Sequence, residues 1–450
     1  MLVRSTVVAA LGGLLFGFDT AVVSGTTAAL RVVFDLSGAG LGFTVASALI
    51  GTILGALASA RPADRHGRRA TLLGIAVLYL VSAVGSALAW DWVSLLVFRF
   101  IGGLGVGGAS VVAPMYVAEI SPARMRGRLV AVTQFNIVLG ILLAFFSNYA
   151  LARLDRGDAE WRWMFGVEAF PAAAFLVLLL TIVESPRWLV ARGRIAEARR
   201  VLGRLGADPA RVDEAVAEIT ASLDVERRSL DEPLFRRAYR RPILLAVAIA
   251  AFNQLSGINA VMYYAPDIFR LAGAAEDAAL LQAVAVGGVN LVFTIAAMLV
   301  IDRAGRRTLM LAGSVGYVVS LAVAAWAFYR WDAAFTATGG AVVLAAILVF
   351  IASHAFGQGA VIWVFISEIF PNRVRARGQA LGTFTHWVLA AAISWTFPMI
   401  AAESGGHAFA FYAAMMLLQL GWVACVMPET KGVPLEEIEA ALGIERGARA

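Results

Sequence analysis

Long apolar runs alternate with short polar loops along the whole chain. A helix needs about 20 apolar residues to cross a bilayer, and the runs are long enough for this. Six runs precede a polar interval and six follow it, at about 5–29, 41–60, 70–89, 94–118, 127–152 and 163–183, and then at about 242–271, 279–301, 308–329, 337–366, 378–401 and 407–427. The pattern predicts an all-α membrane protein with twelve transmembrane helices in two six-helix bundles.

The polar interval between the two sets is rich in arginine and glutamate. Asp208 followed by Pro209 has the pattern of an N-cap and a first helical residue. Apolar residues then recur at helical spacing, at Val212, Ala215, Val216, Ile219 and Leu223. The interval therefore predicts short amphipathic helices on the cytoplasmic side of the membrane domain.

The two halves of the chain repeat one another. RHGRR at 65–69 returns as RAGRR at 303–307, and EISP at 119–122 returns as EIFP at 368–371, offsets of about 240 residues. A repeat on this scale indicates two similar bundles with a binding site between them near the membrane midplane, as in transporters. The predicted organisation is an N-terminal bundle, a cytoplasmic helical linker, a C-terminal bundle and a cytoplasmic tail, at 1–183, 184–241, 242–427 and 428–450.

Composition and charge further restrict the class of protein to which the chain can belong. The chain is 60% hydrophobic and 15% charged, whereas globular domains are about 45–50% apolar and about 25% charged. This excludes a disordered protein, a nucleic-acid binder and a disulfide scaffold. The net charge of +6 comes from arginines clustered in alternate short loops, as cytoplasmic loops require. We expect a multi-pass protein of the plasma membrane, of the bacterial inner-membrane type, with both termini cytoplasmic.

Two opposite charges stand inside apolar runs, Asp19 in the first and Arg99 in the fourth. An ionised group at bilayer depth costs at least ~2.5–3.5 kcal/mol, so such groups usually pair. Burial raises the pKa of a carboxylate and a nearby arginine lowers it, so an Asp whose distance to Arg changes can load and release a proton. Proton coupling through this pair is one hypothesis, and a static ion pair between helices is the other.

Several carboxamides and tryptophans also lie inside the runs. Carboxamides can both donate to and accept from sugar hydroxyls, and aromatic rings can cover the C–H faces of a sugar. Gly257 and Pro266 share the seventh run, which suggests a broken helix lining a cavity. Amides that only join neighbouring helices, and tryptophans that only pack, are the alternative. The candidates are Gln134, Asn253, Gln254, Asn259, Asn290, Trp363 and Trp387.

Charged residues concentrate at the predicted cytoplasmic helix ends. A network of ion pairs made in only one conformation could bias the equilibrium between two states of a transporter. The alternative is that the arginines only set the topology. The candidate gating residues are Asp64, Arg65, Arg68, Arg69, Glu119, Arg126, Glu184, Asp302, Arg303, Arg306, Arg307, Glu368 and Arg375.

At these motifs the chain resembles the sugar porter family of the major facilitator superfamily, which includes proton–sugar symporters and glucose facilitators. The resemblance covers nearly the whole chain in family order. It is carried by GGLLFGFDTAVVSG at 12–25, DRHGRR at 64–69, RFIGGLGVG at 99–107, PMYVAEISPARMRG at 114–127, VESPRWL at 183–189, NQLSGINAVMYYAP at 253–266, DRAGRR at 302–307, WVFISEIFP at 363–371 and PETKG at 428–432.

The resemblance implies roles for individual residues. Proton-coupled members are similar to this chain in having Asp at position 19, where facilitators have an uncharged residue. Gln134, Gln254, Asn259, Asn290 and Trp363 match sugar-contacting positions. Phe16 would belong to the cavity wall, and Tyr263 and Tyr264 to the outer gate, with Tyr263 also contacting the substrate.

Several positions depart from the family pattern. Asn253 stands where relatives often carry the first of two glutamines, and His386, beside Trp387, stands where an amide is common. His354 in the tenth run is also unusual; packing and a second protonatable site both remain open for it. We include Asn253, His386 and Trp387 among the expected substrate contacts.

The expected function is proton-coupled symport of a monosaccharide, a hexose or a pentose, by alternating access. An uncoupled sugar facilitator is the alternative, with a sugar sensor less favoured. We expect no catalytic activity, because the sequence has no phosphate loop, metal-ligand spacing or nucleophile–base pair. The expected partners are the monosaccharide, protons and the lipid bilayer, with no nucleic acid, no metal and no cofactor, and the protein is expected to be a monomer.

Overall fold

The structure, a computed structural model, describes residues 1–122, 125–154, 157–229, 232–331, 334–433, 437–439, 442 and 444, without the side chains of Arg126 and of 225–229. Within these ranges the secondary structure is entirely helical. The chain divides into two compact units, Met1–Arg228 and Ser229–Ala450.

The first unit begins with nine helices that belong to its membrane domain. Three further helices follow on the polar interval. The membrane-domain helices are α1 (Leu2–Val22), α2 (Thr27–Val33), α3 (Gly38–Ala58), α4 (Ala60–His66), α5 (Arg68–Ala87), α6 (Trp92–Ile120), α7 (Arg126–Ala152), α8 (Glu160–Gly166) and α9 (Ala169–Leu179), and the later ones are α10 (Pro186–Ala191), α11 (Ile195–Leu205) and α12 (Val212–Ser229).

The described part of the second unit carries eight α-helices. They are α13 (Arg240–Leu255), α14 (Ile258–Leu271), α15 (Glu276–Ala304), α16 (Arg306–Trp331), α17 (Ala337–Phe356), α18 (Gln358–Ile369), α19 (Arg375–Glu403) and α20 (Gly405–Cys425).

Twelve helical segments of the described chain are long and apolar enough to cross a membrane, six in each unit. The prediction of twelve transmembrane helices in two bundles of six is therefore confirmed. Three spans consist of two helices in series, namely α8 with α9, α13 with α14, and α17 with α18. These interruptions matter because backbone groups that leave the helical ladder inside a membrane must be satisfied within the protein.

The break in the seventh span falls where Gly257 predicts it. Gly257 has φ +82°, in the left-handed region that favours glycine, and it separates α13 from α14. A side chain there would come within 2.4 Å of the Tyr412 ring. A second irregularity occurs at Tyr264 (φ −124°, ψ 21°), two residues before Pro266. The predicted broken helix is confirmed.

The polar interval forms the predicted amphipathic helices. The Ser185 hydroxyl accepts a hydrogen bond from the Trp188 N–H at the start of α10, and the Asp208 carboxylate accepts one from the Ala210 N–H. The apolar sides of α10, α11 and α12 share one small core, formed by Trp188, Leu189, Val190, Ala198 and Val216. These helices are therefore packed together and do not form an extended linker.

Close backbone contact between α3 and α6 depends on glycine. A Cβ atom at Gly103 would lie 1.9 Å from the Ala48 carbonyl oxygen and 3.0 Å from the Gly51 Cα. A methyl group cannot enter this contact unless one helix moves, because both nearest atoms belong to the backbone. Small residues at such contacts let helices pack closely in membranes.

We predict that Gly103→Ala destabilises the protein by about 1–3 kcal/mol, the usual cost of overpacking. Thermal unfolding of detergent-solubilised protein measures the effect. Gly74→Ala is the matched control, because Gly74 lies inside α5 with no atom within 4 Å of its Cβ position. Equal unfolding temperatures for the two variants would contradict the close-contact account.

Candidate functional site

Asp19 and Arg99 form a bidentate ion pair deep within the first unit. Arg99 Nη1 donates to Asp19 Oδ1 at 2.6 Å, and Nη2 donates to Oδ2 at 3.2 Å. Asp19 is 3% exposed and Arg99 is 2% exposed. The Arg99 guanidinium also lies over the Phe165 ring, 5.3 Å from its centroid. The structure thus brings together the two charges that the sequence pairs.

A third charged residue, Glu168, joins this pair and was missed by the sequence analysis. It lies between α8 and α9 and is 1% exposed, and it interacts electrostatically with both Asp19 and Arg99. Its Oε1 has no hydrogen-bond partner among the described residues. The signal was available, because Glu168, like Asp19, is a single acidic residue inside an apolar run.

Three carboxamides form a hydrogen-bonded row at the break between α13 and α14. Asn259 Nδ2 donates to Gln254 Oε1 at 3.0 Å, and Gln254 Nε2 donates to Asn253 Oδ1 at 2.9 Å. Gln254 Nε2 also lies 3.2 Å from His386 Nδ1 and 3.3 Å from His386 Nε2. We call Asn253, Gln254, Asn259 and His386 the amide row. It joins two spans of the second unit through carboxamides and an imidazole, whose hydrogen bonds do not require an ionised group.

Two tryptophans flank the histidine of the amide row. The Trp363 ring on α18 lies 5.2 Å from the His386 ring, and the Trp387 ring on α19 lies 4.8 Å from it, nearly perpendicular. Trp387 is 7% exposed, whereas Trp363 is 37% exposed and keeps a free face. Of the sequence-predicted substrate residues, Gln254, Trp363 and Trp387 therefore contact His386 directly. Asn253 and Asn259 join this group through their hydrogen bonds with Gln254.

The other predicted substrate and outer-gate residues lie outside these contacts. Asn290 is buried on α15. Tyr263 and Tyr264 are buried on α14, where the Tyr264 hydroxyl donates to the Ser394 carbonyl at 2.9 Å. In the first unit, Phe16 on α1 and Gln134 on α7 are half-buried on neighbouring packed helices.

The predicted cytoplasmic charges of the first unit form one cluster around Arg68. Arg68 makes a bidentate ion pair with Glu119, with both N–O distances at 2.9 Å, and it donates to Asp64 at 3.1 Å. Glu184 accepts hydrogen bonds from three backbone N–H groups, those of Arg68, Arg69 and Ser185. This end of the bundle is therefore tied together by charge-assisted hydrogen bonds.

The second unit repeats this cluster around Arg306. Arg306 donates to the two oxygens of Glu368 at 2.9 and 3.2 Å, and to Asp302 at 3.5 Å. Glu429 accepts from the backbone N–H groups of Arg306, Arg307, Thr430 and Lys431. Each of these contacts joins residues of one unit.

The remaining gating candidates take different places. Arg65 and Arg303 are exposed. Arg69 and Arg307 donate to backbone carbonyls, those of Leu179 and Val423 among them, and Arg375 donates to the Phe370 carbonyl at 3.3 Å. The side chain of Arg126 lies outside the described part of the structure.

Three residues of these clusters are absent from the predicted set. The Ser185 hydroxyl donates to Glu119 at 2.5 Å, and the Thr430 hydroxyl donates to Glu368 at 2.6 Å. With Glu429, they belong to the dipeptides ES at 184–185 and ET at 429–430, which recur in the two halves. The repeat was the signal for them. In the described ranges, no group of three or more His, Cys, Asp or Glu side chains is arranged to hold a metal ion.

Glu184 and Glu429 occupy equivalent positions in the two halves, but their pKa values are shifted in opposite directions. Burial raises the pKa of Glu184 above its ordinary value of 4.5, because its backbone donors only partly offset the desolvation. Burial opposes ionisation of Glu429 as well, but its four backbone N–H donors prevail and hold its pKa below 4.5. Glu184 is thus stabilised in its protonated form, and Glu429 in its ionised form.

We predict opposite pH trends for Glu184→Gln and Glu429→Gln. As the pH falls from neutral through the raised pKa of Glu184, protonation of Glu184 stabilises the folded wild type. The stability of Glu184→Gln relative to the wild type therefore decreases progressively. Below pH 4.5 the wild type loses the stability that ionised Glu429 contributes. The stability of Glu429→Gln relative to the wild type therefore increases progressively. Thermal unfolding between pH 7.5 and 3.5 measures both trends, and parallel trends would contradict the assignment.

Comparison with known proteins shows the family of the chain. Residues 5–442 match the family described as sugar (and other) transporter. The chain is 40% identical to the D-xylose-proton symporter of Escherichia coli K12, over 97% of this chain and 94% of the relative. It is 36% identical to the arabinose-proton symporter of Bacillus subtilis, over 96% and 93%.

A solved structure is similar over the same extent. The xylose transporter XylE from E. coli, solved in an inward-open conformation, matches with a TM-score of 0.86 and 38% identity, covering 98% of this chain and 100% of that one. The resemblance that the motifs carry is therefore confirmed by sequence and by fold. With twelve spans in two bundles of the major facilitator fold, the chain belongs to the sugar transporter family.

Proposed function

We propose that this protein moves a monosaccharide across the membrane together with a proton, by alternating access. The observation that carries the proposal is the buried cluster of Asp19, Arg99 and Glu168. A neutral sugar needs no ionised group for its recognition, so charges kept at this depth in spite of their cost serve another cargo. A proton is the cargo that a carboxylate binds directly.

The charge balance of the cluster supports this role. When all three groups are ionised, there are two carboxylates and one guanidinium, and the cluster carries one uncompensated negative charge in the bundle interior. One bound proton makes it neutral. When Asp19 takes that proton, its attraction to Arg99 weakens. Proton loading thereby changes the contacts between helices.

The amide row supports a polyol as the second cargo. Its carboxamides and imidazole are uncharged groups that can donate and accept, and Trp363 offers an apolar face beside them. The named relatives transport xylose and arabinose, which are pentoses of this chemistry. We extend a monosaccharide substrate to this chain, and Gln134, Phe16, Asn290 and Tyr263 to its binding site.

We assign the two arginine-centred clusters to gating of the cytoplasmic side. Each draws together the ends of several helices of its own bundle, so a bundle keeps its shape while it moves. The arginine distribution supports cytoplasmic loops at these ends, and with them cytoplasmic termini.

Asp19→Asn is predicted to abolish proton-driven sugar accumulation and to preserve sugar exchange. The amide keeps the size of the side chain but cannot carry a proton. Uptake against a concentration gradient and counterflow, both in proteoliposomes, measure the two properties. Asp213→Asn is the matched control, because Asp213 lies on α12 with a side chain that is 79% exposed. Undiminished uphill uptake by Asp19→Asn would refute the role of Asp19.

Glu119→Lys is predicted to shift the balance between inward-facing and outward-facing states. The reversed charge repels Arg68, which pairs with Glu119 in the cytoplasmic cluster. Accessibility of single cysteines near Trp363 to an impermeant thiol reagent reports the shift, in a Cys425→Ser background that removes the native thiol. Unchanged labelling rates would contradict a gating role.

A further inference from the structure

His354 is a titratable side chain that the amide row does not include. It lies in the last turn of α17, just before the chain leaves the helix at Gly357 and α18 begins. The residue is half-buried, so part of its ring remains accessible. Its position next to an interrupted membrane helix sets it apart from an ordinary packing residue.

Tyr317 holds the His354 ring in one orientation. The Tyr317 hydroxyl lies 2.6 Å from His354 Nδ1, and the two rings meet edge to face with centroids 6.0 Å apart. Tyr317 lies on α16 and is fully buried, with Phe350 against its ring. Because Nδ1 is engaged by this contact, the free hydrogen-bonding capacity of the imidazole is at Nε2.

The free edge of His354 lies beside Gly359. A Cβ atom at Gly359 would be 3.3 Å from His354 Cδ2 and 3.5 Å from Nε2. Gly359 and Trp363 are four residues apart and therefore share one face of α18. Trp363 packs on His386, which contacts Gln254 and is within electrostatic range of His354. The free nitrogen of His354 is thus next to the helix face that borders the amide row.

We propose that His354, oriented by Tyr317, is a further sugar-recognition residue whose Nε2 hydrogen-bonds one hydroxyl of the bound monosaccharide. This inference rests on the proposed function. A neutral imidazole donates or accepts at Nε2, and a hydroxyl can complement either state. A site with such a group rejects the analogue that lacks the hydroxyl, because a buried polar atom is then left unpaired.

Competition by monodeoxy sugars tests the proposal. Counterflow in proteoliposomes selects the best substrate among D-xylose, L-arabinose and D-glucose, and each monodeoxy analogue of that sugar then competes with it. In the wild type, one analogue is expected to compete roughly tenfold more weakly than the parent sugar because of the lost His354 contact. In His354→Phe, the ratio at that position falls to about one, while the ratios at other positions stay as in the wild type.

Two further variants keep the test decisive if His354→Phe does not fold. His354→Gln retains a polar group and is expected to keep part of the discrimination at that position. Tyr317→Phe removes only the hydroxyl that orients the ring, and it is expected to lower the same ratio and no other. A ratio unchanged from the wild type in every folded variant would overturn the role of His354.

Failure of the proposed function would give a different experimental result from failure of this inference alone. If the wild type exchanges none of the three sugars, the proposed function and this inference fall together. If the wild type and the His354 variants all exchange sugar with identical deoxy-sugar profiles, only this inference falls. Asn259→Ala is the comparison variant, because loss of an amide-row contact is expected to change a profile independently of His354.

Discussion

Ionised groups inside the membrane domain must be compensated by other groups of the protein, and the first unit meets this constraint with the Asp19–Arg99 pair. Removing one member of a buried pair typically costs ~3–5 kcal/mol, because the other charge is left without a partner. In this protein the pair is bidentate and almost fully buried, and Glu168 is a second buried carboxyl group that interacts electrostatically with both members. In the proposed mechanism, a bound proton balances the second carboxylate of this cluster.

The second unit differs from the first in the polar groups that its membrane interior contains. Its membrane interior holds carboxamides, imidazoles and aromatic rings, and the amide row shares its hydrogen bonds across two spans. These groups can exchange partners with sugar hydroxyls without moving a net charge through the membrane. In the proposed mechanism the first unit carries the proton and the second unit supplies most of the sugar contacts, and alternating access couples the two.

The sequence predicted features that depend on local composition or on repetition. Twelve spans follow from apolar length, and the Asp19–Arg99 pair follows from two opposite charges in apolar surroundings. The break at Gly257 follows from a glycine and a proline in one span. The ES and ET repeats also contained the signal for Glu429, because it is the counterpart of Glu184.

Other features that depend on side-chain placement between distant segments were not predicted. The contact between Gln254 and His386 joins residues 132 positions apart, and no local pattern encodes it. The interruption at Gly357 carries no proline, so composition did not reveal it. Glu168 lies at the interruption between α8 and α9, and its electrostatic interaction with Arg99 joins residues of two different spans. The pairing of His354 with Tyr317 likewise depends on how α16 and α17 pack.

The most direct test of the account is the movement of protons that accompanies the sugar. Proteoliposomes containing the wild-type protein, with equal pH on both sides and a weakly buffered medium, receive a pulse of transported sugar on the outside. The account predicts that the external medium becomes more alkaline at a rate proportional to sugar entry, because protons enter with the sugar. Sugar entry at full rate with no change in external pH would contradict it.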